Sequence, residues 1–229
     1  MTVKSNLACI IDNIEVACEQ SNRNPEEVAI IAVTKYVSPE RALEAYDAGI
    51  KHFGENRDDG LTSKWEIIKD KGIWHFIGTL QTRKVRNMID KVTYIHSLDR
   101  LSLAQEIDKR AIYQIKCFVQ VNVSGEESKH GISPEEVIPF IEKLSEYQNI
   151  VVVGLMTMAP YTDDKSVPRT CFRKLKNIQT EIAAMDMPHA PCTELSMGMS
   201  NDYLIAIEEG ATFVRIGTAL VGDESKEGK

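Results

Sequence analysis

No apolar run in this 229-residue sequence approaches the roughly 18 residues that a membrane-spanning helix needs. The opening, MTVKSNLACIIDNIEVACEQ, carries acidic residues and no small-residue cleavage site, which argues against a secretory signal. Cysteine is sparse and scattered. Cys9, Cys18, Cys117, Cys171 and Cys192 are odd in number and form neither a CxxC pair nor a Cys/His cluster. They read as free thiols in a reducing compartment, with Cys9, Cys117 and Cys192 as small buried hydrophobes. A metal centre has no support either, because no His/Asp/Glu cluster shows ligand spacing. Positive charge is in deficit: a formal net charge of −7 argues against non-specific binding to nucleic acid or anionic membranes. Internal repeats, low-complexity tracts and linkers are also absent. These exclusions leave a single cytoplasmic domain over residues 1–229, with a polar tail from residue 223. A chain of this length buries a full core without staples.

What is present alternates. Residues 28–33 form an apolar, mostly β-branched run with the look of a buried strand. It ends in Thr34, Lys35 and Tyr36, just before Ser38-Pro39-Glu40 opens a helical pattern. Ahead of it, Leu7, Ile10, Ile11, Ile14 and Ala17 recur near the helical period, which predicts a leading helix over 3–19. Behind it, predicted strands at 50–54, 74–78, 92–97, 116–123, 150–158, 192–197 and 213–220 alternate with helical patterns. Those patterns cover 39–48, 61–69, 81–89, 169–185 and 203–209, with further helices running from an Asp99 cap to Arg110 and starting at Ser133-Pro134. Eight strands, each but the last followed by a helix, predict a (β/α)8 barrel whose missing final helix is replaced by the leading one. An open doubly wound sheet is the alternative, but the GxGxxG turn usual after its first strand is absent.

Closing a barrel makes the first and eighth strands neighbours, so Lys35 is expected to face Arg215 across the upper rim. A lysine at a strand end is, on its own, most often a solvated side chain. The far end of the chain changes its meaning. Barrels often bind phosphate with the loops after the seventh and eighth strands. Here those loops carry Gly198-Met199-Ser200-Asn201 and Gly217-Thr218-Ala219. Glycine admits close backbone approach, and Ser200 and Thr218 offer hydroxyls. A phosphate cradle converging on a lysine, with an arginine nearby, points to pyridoxal 5′-phosphate held as a lysine Schiff base.

Six stretches carry a family resemblance: AVTKY at 32–36, FGEN at 53–56, HFIG with LQ at 75–81, GLMTM at 154–158, LSMGMSND at 195–202 and VRIGTALVG at 214–222. Spread in order over nearly the whole chain, they resemble the pyridoxal phosphate homeostasis proteins, whose fold is the fold type III barrel of alanine racemase. The resemblance implies a Schiff base on Lys35, phosphate binding by Ser200, Gly217 and Thr218, and Met199 near the ring. It implies further that Arg215 points at the pyridine nitrogen and that Asn56 and His75 line the pocket. Arg57, Thr79, Thr82 and Arg83 depart from the family pattern.

Two functions follow from the resemblance. A carrier would hold, buffer or deliver pyridoxal phosphate to apoenzymes, as a monomer with no robust catalytic activity. A racemase would use Lys35 as one base. An always-charged arginine leaves the ring nitrogen unprotonated and the ring a weak electron sink. Racemisation also wants a base on each face of the substrate carbon, which racemases of this type draw from a second domain. The carrier is therefore the expected function. A third class, a sugar-phosphate aldolase with Lys35 as Schiff base, would need an acid such as Glu55.

Overall fold

The computed structural model describes residues 2–126 and 130–224. Helix α1 (Val3–Gln20) comes first, its Thr2 hydroxyl accepting from the Ser5 N–H at 3.2 Å. Its buried positions Val3, Leu7, Ile10, Ile14 and Ala17 step by four and three residues, the spacing that keeps one face inward. Ile11 falls outside that face and is exposed, and so is Cys9, contrary to the expectation of a small buried hydrophobe there.

Eight parallel strands then close a barrel in chain order, β8 returning to pair with β1. They are β1 (Ala29–Val33), β2 (His52–Glu55), β3 (Ile73–Phe76), β4 (Tyr94–Leu98), β5 (Ile115–Gln120), β6 (Ile150–Met156), β7 (Glu194–Met199) and β8 (Phe213–Ile216). Between them run α2 (Pro39–Asp47), α3 (Asp58–Ile68), α4 (Leu101–Arg110), α5 (Val137–Lys143), α6 (Ser166–Ala183) and α7 (Tyr203–Glu208). The expected (β/α)8 barrel is thus the observed fold. A short last helix, α8 (Thr218–Val221), follows β8, so the final barrel helix is abbreviated and not missing. Helix α1 packs against α7 and α8 and completes the outer ring there. Asn6 Nδ2 donates to the Leu220 carbonyl at 2.9 Å, and Arg23 Nη1 donates to the carbonyls of Ile207 and Ala211.

Local chemistry explains the remaining differences. The 81–89 segment is a 3₁₀ stretch, Thr82–Asn87, because Lys84 and Asn87 are both tied to the Asp58 carboxylate and draw the turn tight. Asp99 does not cap α4. Its carboxylate pairs with Arg100 at 2.6 Å, and Arg100 occupies the cap position. The eighth strand stops at Ile216, where Gly217 turns the chain into α8. The tail is not loose at its start: Glu224 accepts from the Ser38 N–H at 2.6 Å and donates its own N–H to the Tyr36 carbonyl. Residues 225–229 of the expected polar tail lie outside the described residues. No helix among the described residues is long and apolar enough to cross a membrane.

The apolar interior is divided in two. The larger part lies between strands and helices, where each fully buried Leu, Ile or Phe contributes about 1.5–3 kcal/mol. The smaller part fills the barrel: Ile31, Phe118, Met156 and Phe213, with Tyr94 against them. Polar side chains share that inner space. His75, His96, Ser196 and Arg215 are all buried. Burial holds His75 and His96 neutral, with His52 lowered for the same reason and further opposed by Lys116.

This neutrality fixes the sign of the acid response. An unfolded histidine gains a proton near pH 6.5, whereas His75 and His96 stay neutral well below it. Below that pH the unfolded chain binds more protons, so stability falls as pH falls, by up to about 1.4 kcal/mol per pH unit for each such histidine. Urea midpoints at pH 7.5, 6.5 and 5.5 measure the loss. Equal midpoints at all three would mean that these rings are not held neutral.

Candidate functional site

Lys35 follows the last residue pairs of β1, in a turn at the carboxyl end of the barrel, where its amine is exposed. Thr34 anchors that turn. Its hydroxyl donates to Glu55 Oε1 at 2.5 Å, and Lys64 Nζ of α3 lies 2.8 Å from the same oxygen. Glu55 and Lys64 are 1% and 4% exposed, so this is a buried ion pair with a threonine locked onto it. It commits Glu55 to a structural bond directly behind Lys35, and the acid imagined for an aldolase is not free.

Beside Lys35 lies a cavity of about 420 Å³, within the usual range for small-molecule sites. Lys35, Asn56, Met199, Ser200, Arg215, Gly217 and Thr218, seven of the eight residues expected at the site, line it. Asn201 of the glycine-rich loop joins them, as do Tyr36, Gln120 and Met158, which were not foreseen. His75 is the exception. It lies inside the barrel with its ring stacked on Tyr94, 4.3 Å between centroids, and forms no part of the wall. Strand alternation turns it inward, below the cavity.

Two backbone features shape this wall. Strand β7 carries a bulge, since Ser196 pairs with Phe213 but Met199 with Arg215, three residues against two. The extra residue is accommodated at Gly198, whose φ of +88° suits glycine, and any Cβ there would come within 2.6 Å of Ala206 Cβ. The bulge turns Met199 and Ser200 over the cavity. Asp202 secures it: its carboxylate accepts from the Met199 N–H at 2.6 Å and not from its own helix. On the opposite wall a Cβ at Gly78 would strike the Asn56 carbonyl at 2.4 Å.

Arg215 sits deeper than the rim. β1 and β8 pair Ile31 with Arg215, four residues before Lys35, so the guanidinium forms the floor of the cavity and the lysine its edge. Nη1 donates to Ser196 Oγ at 2.6 Å and Nη2 to the Thr157 carbonyl at 2.9 Å. Burial pulls the guanidinium down to about 10, with the Asp202 carboxylate pulling the other way. Burial likewise raises Asp202, against the opposing pull of Met199 and Arg215. Two further hollows flank the cavity. One, of about 580 Å³, holds Arg57, Thr79 and Arg83. The other, of about 480 Å³, lies between residues 159–168 and the 199–205 turn. Thr82 instead faces Arg100 at 3.5 Å.

The cavity thus brings an exposed amine, a buried guanidinium and a glycine-and-hydroxyl corner to one mouth. The family model for the N-terminal domain of alanine racemase matches residues 5–225. Alanine racemase of Clostridium difficile shares the fold, with a TM-score of 0.77 at 16% identity, over 96% of this chain and 56% of the enzyme. The pyridoxal phosphate homeostasis protein of Aquifex aeolicus is 43% identical over 97% of this chain and 99% of that protein. The Haemophilus influenzae protein of the same name is 34% identical over 97% and 96%. The structure of PipY from Synechococcus elongatus with pyridoxal phosphate bound superposes with a TM-score of 0.82 at 31% identity, over 96% of this chain and all of that one. The chain belongs to the pyridoxal phosphate homeostasis protein family.

Sequence reading missed Lys64, Ser196, His96, His52 and Asp202. One of them left a trace, for His96 follows Tyr94 at a two-residue period in β4, the mark of side chains facing one side. The buried pair behind Lys35 is testable. Lys64→Met strands the Glu55 carboxylate and is expected to cost about 3–5 kcal/mol in urea unfolding. Lys64→Met with Glu55→Gln is expected to recover most of it. Equal losses in the single and double variants would mean that the pair contributes only packing.

Proposed function

We propose that this chain holds pyridoxal 5′-phosphate covalently on Lys35 and guards or hands it on, as a carrier and not as a robust catalyst. The carrying observation is the single cavity that Lys35, Arg215, Ser200, Gly217 and Thr218 share. Its size and donor set fit the cofactor: an amine for the aldehyde, and hydroxyls and a glycine backbone for the phosphate. In this reading Lys35 holds the aldehyde carbon, Ser200, Gly217 and Thr218 the phosphate, and Met199 and Asn56 flank the ring. Arg215 faces the ring nitrogen. When bound, the group supplies an electrophilic carbon and a ring that draws electrons best when its nitrogen is protonated.

Arg215 works against that protonation. Its guanidinium keeps its proton up to about pH 10, and it donates to neutral oxygens on its protein side. It therefore presents donors to the cavity and takes up no proton from it, which favours holding over turnover. The names borne by the relatives, and the pyridoxal phosphate bound in PipY, support the same reading. Apoenzymes that use the cofactor are the recipients in this proposal, and five cysteines with no disulfide among them suit the cytoplasm.

One observation favours a racemase instead: Tyr36 lines the cavity, with Lys35 Nζ 4.6 Å from its ring centre. Both side chains come from one turn, whereas racemisation asks for a base on each face of the substrate carbon.

The experiment is borohydride reduction of the loaded protein followed by peptide mass analysis. The pyridoxyl adduct is expected on Lys35. Lys35→Ala is expected to lose the adduct and the long-wavelength band while keeping its melting temperature within about 2 °C. An adduct that persists on another lysine would overturn the assignment. Deuterium exchange at the α-carbon of L-amino acids, run on the same loaded protein with Lys35→Ala as control, separates the functions. A carrier leaves the α-proton in place, and Lys35-dependent exchange would establish the racemase.

A further inference from the structure

Below the cavity a line of hydrogen bonds runs down the inside of the barrel. It passes from Arg215 on β8 to Ser196 on β7, His96 on β4, His75 on β3 and His52 on β2. Arg215 Nη1 lies 2.6 Å from Ser196 Oγ, and that oxygen lies 2.8 Å from His96 Nδ1. His96 Nε2 lies 2.8 Å from His75 Nδ1, and His75 Nε2 lies 2.9 Å from His52 Nδ1. Each of the first two imidazoles uses both ring nitrogens. The rings are held from the sides as well: His75 stacks on Tyr94 and His96 on Phe118, each 4.3 Å between centroids, while Phe213 meets His52 and His75. Such a barrel layer is ordinarily filled by branched apolar side chains. Among the described residues no such group is arranged to hold a metal ion, and the rings meet in pairs and not at one point.

We propose that His96, His75 and His52 are positioning residues for Arg215: a column of hydrogen bonds with one fixed sense, which sets how the guanidinium presents its donors to the cavity. The sense follows from counting protons. A guanidinium only donates, so Ser196 Oγ accepts from Arg215. The Ser196 hydroxyl then has one proton to give, and His96 Nδ1 is its acceptor among the described residues. His96 is neutral, so with Nδ1 accepting, its proton sits on Nε2 and is donated to His75 Nδ1. The same step at His75 passes a proton from Nε2 to His52 Nδ1. All three histidines are thereby fixed as Nε2–H tautomers. Every dipole in the column turns its negative end toward Arg215. Aligned hydrogen bonds of this kind polarise one another in a low-dielectric interior. The column thus supports a buried cation without placing a carboxylate in contact with it. It also fixes the Nη1 donor direction, leaving the uncommitted guanidinium protons for the cavity that Arg215 lines.

The tautomers are read directly by long-range ¹H–¹⁵N spectra of ligand-free protein labelled with ¹⁵N in histidine and arginine. Wild type is expected to show Nε2–H at His52, His75 and His96. An Nδ1–H tautomer at His96 or His75 would overturn the column. Ser196→Ala removes the link to Arg215 and is expected to mix the His96 tautomers and broaden the Arg215 side-chain resonances. The functional half of the test rests on the proposed cofactor role and uses pyridoxal phosphate titrated by absorbance. His96→Phe, which keeps a ring against Phe118, is expected to weaken binding about tenfold and shift the absorption maximum, with His96→Gln, one acceptor and one donor, restoring both. Ser196→Ala tests the same link should His96→Phe fail to fold. Unchanged Arg215 resonances and titrations in a folded Ser196→Ala or His96→Phe protein would reduce the histidines to packing and sink the proposal. Failure of wild type to bind pyridoxal phosphate, with the three tautomers as stated, would sink the cofactor reading alone.

Discussion

A guanidinium buried inside a parallel barrel is the constraint around which this molecule is arranged. Arg215 is 5% exposed, and a charge at that depth is tolerated only where its protons find acceptors. Ser196 and the Thr157 carbonyl supply them, and the hydroxyl in turn must dispose of its own proton. That demand leads from one polar side chain to the next until His52, partly exposed near the other end of the barrel. The inner barrel is therefore part aromatic stack, part hydrogen-bonded chain, and its apolar members Ile31, Phe118, Met156 and Phe213 wrap the chain instead of filling the space alone.

The same economy of polar groups holds the cavity edge. Lys35 belongs to a turn pinned from three directions: by Thr34 on the buried Glu55–Lys64 pair, by Glu224 on Tyr36 and Ser38, and by closure of β1 against β8. Across the opening, the β7 bulge at Gly198 and its Asp202 tie place Met199 and Ser200. The cavity thus lies between two stiff rims with a charged floor. That arrangement suits the proposed retention of a reactive aldehyde.

Much of this was legible in the chain itself. Alternating apolar strands and amphipathic helices are written locally, at periods of two and near 3.6, so the barrel and the strand count could be read directly. Seven of the eight residues expected at the site line one cavity. Asn56 came from the family resemblance, while Lys35 and the glycine-rich turns after β7 and β8 sit where barrels build their sites. Their convergence follows from closure alone. Two misreadings share one cause. The 81–89 helix and the polar tail from residue 223 were judged from neighbours in sequence, while the deciding partners, Asp58 and Ser38, are distant in the chain.

His75 marks the boundary between the two kinds of knowledge. Strand periodicity sets that its side chain and that of Tyr94 face inward, yet inward covers both the cavity wall and the barrel interior. Which of the two holds depends on the register between strands, on Gly54 lying opposite His75 and on Ser196 reaching His96 across a separation of 100 residues. The sequence by itself determined the elements, their order and the residue types at the mouth of the barrel, because these rest on local propensity and spacing. Only the tertiary structure decided the depth of Arg215, the Glu55–Lys64 pair and the histidine column. Each is a hydrogen-bonding obligation of a buried group, and its partner is chosen by where distant strands come to rest.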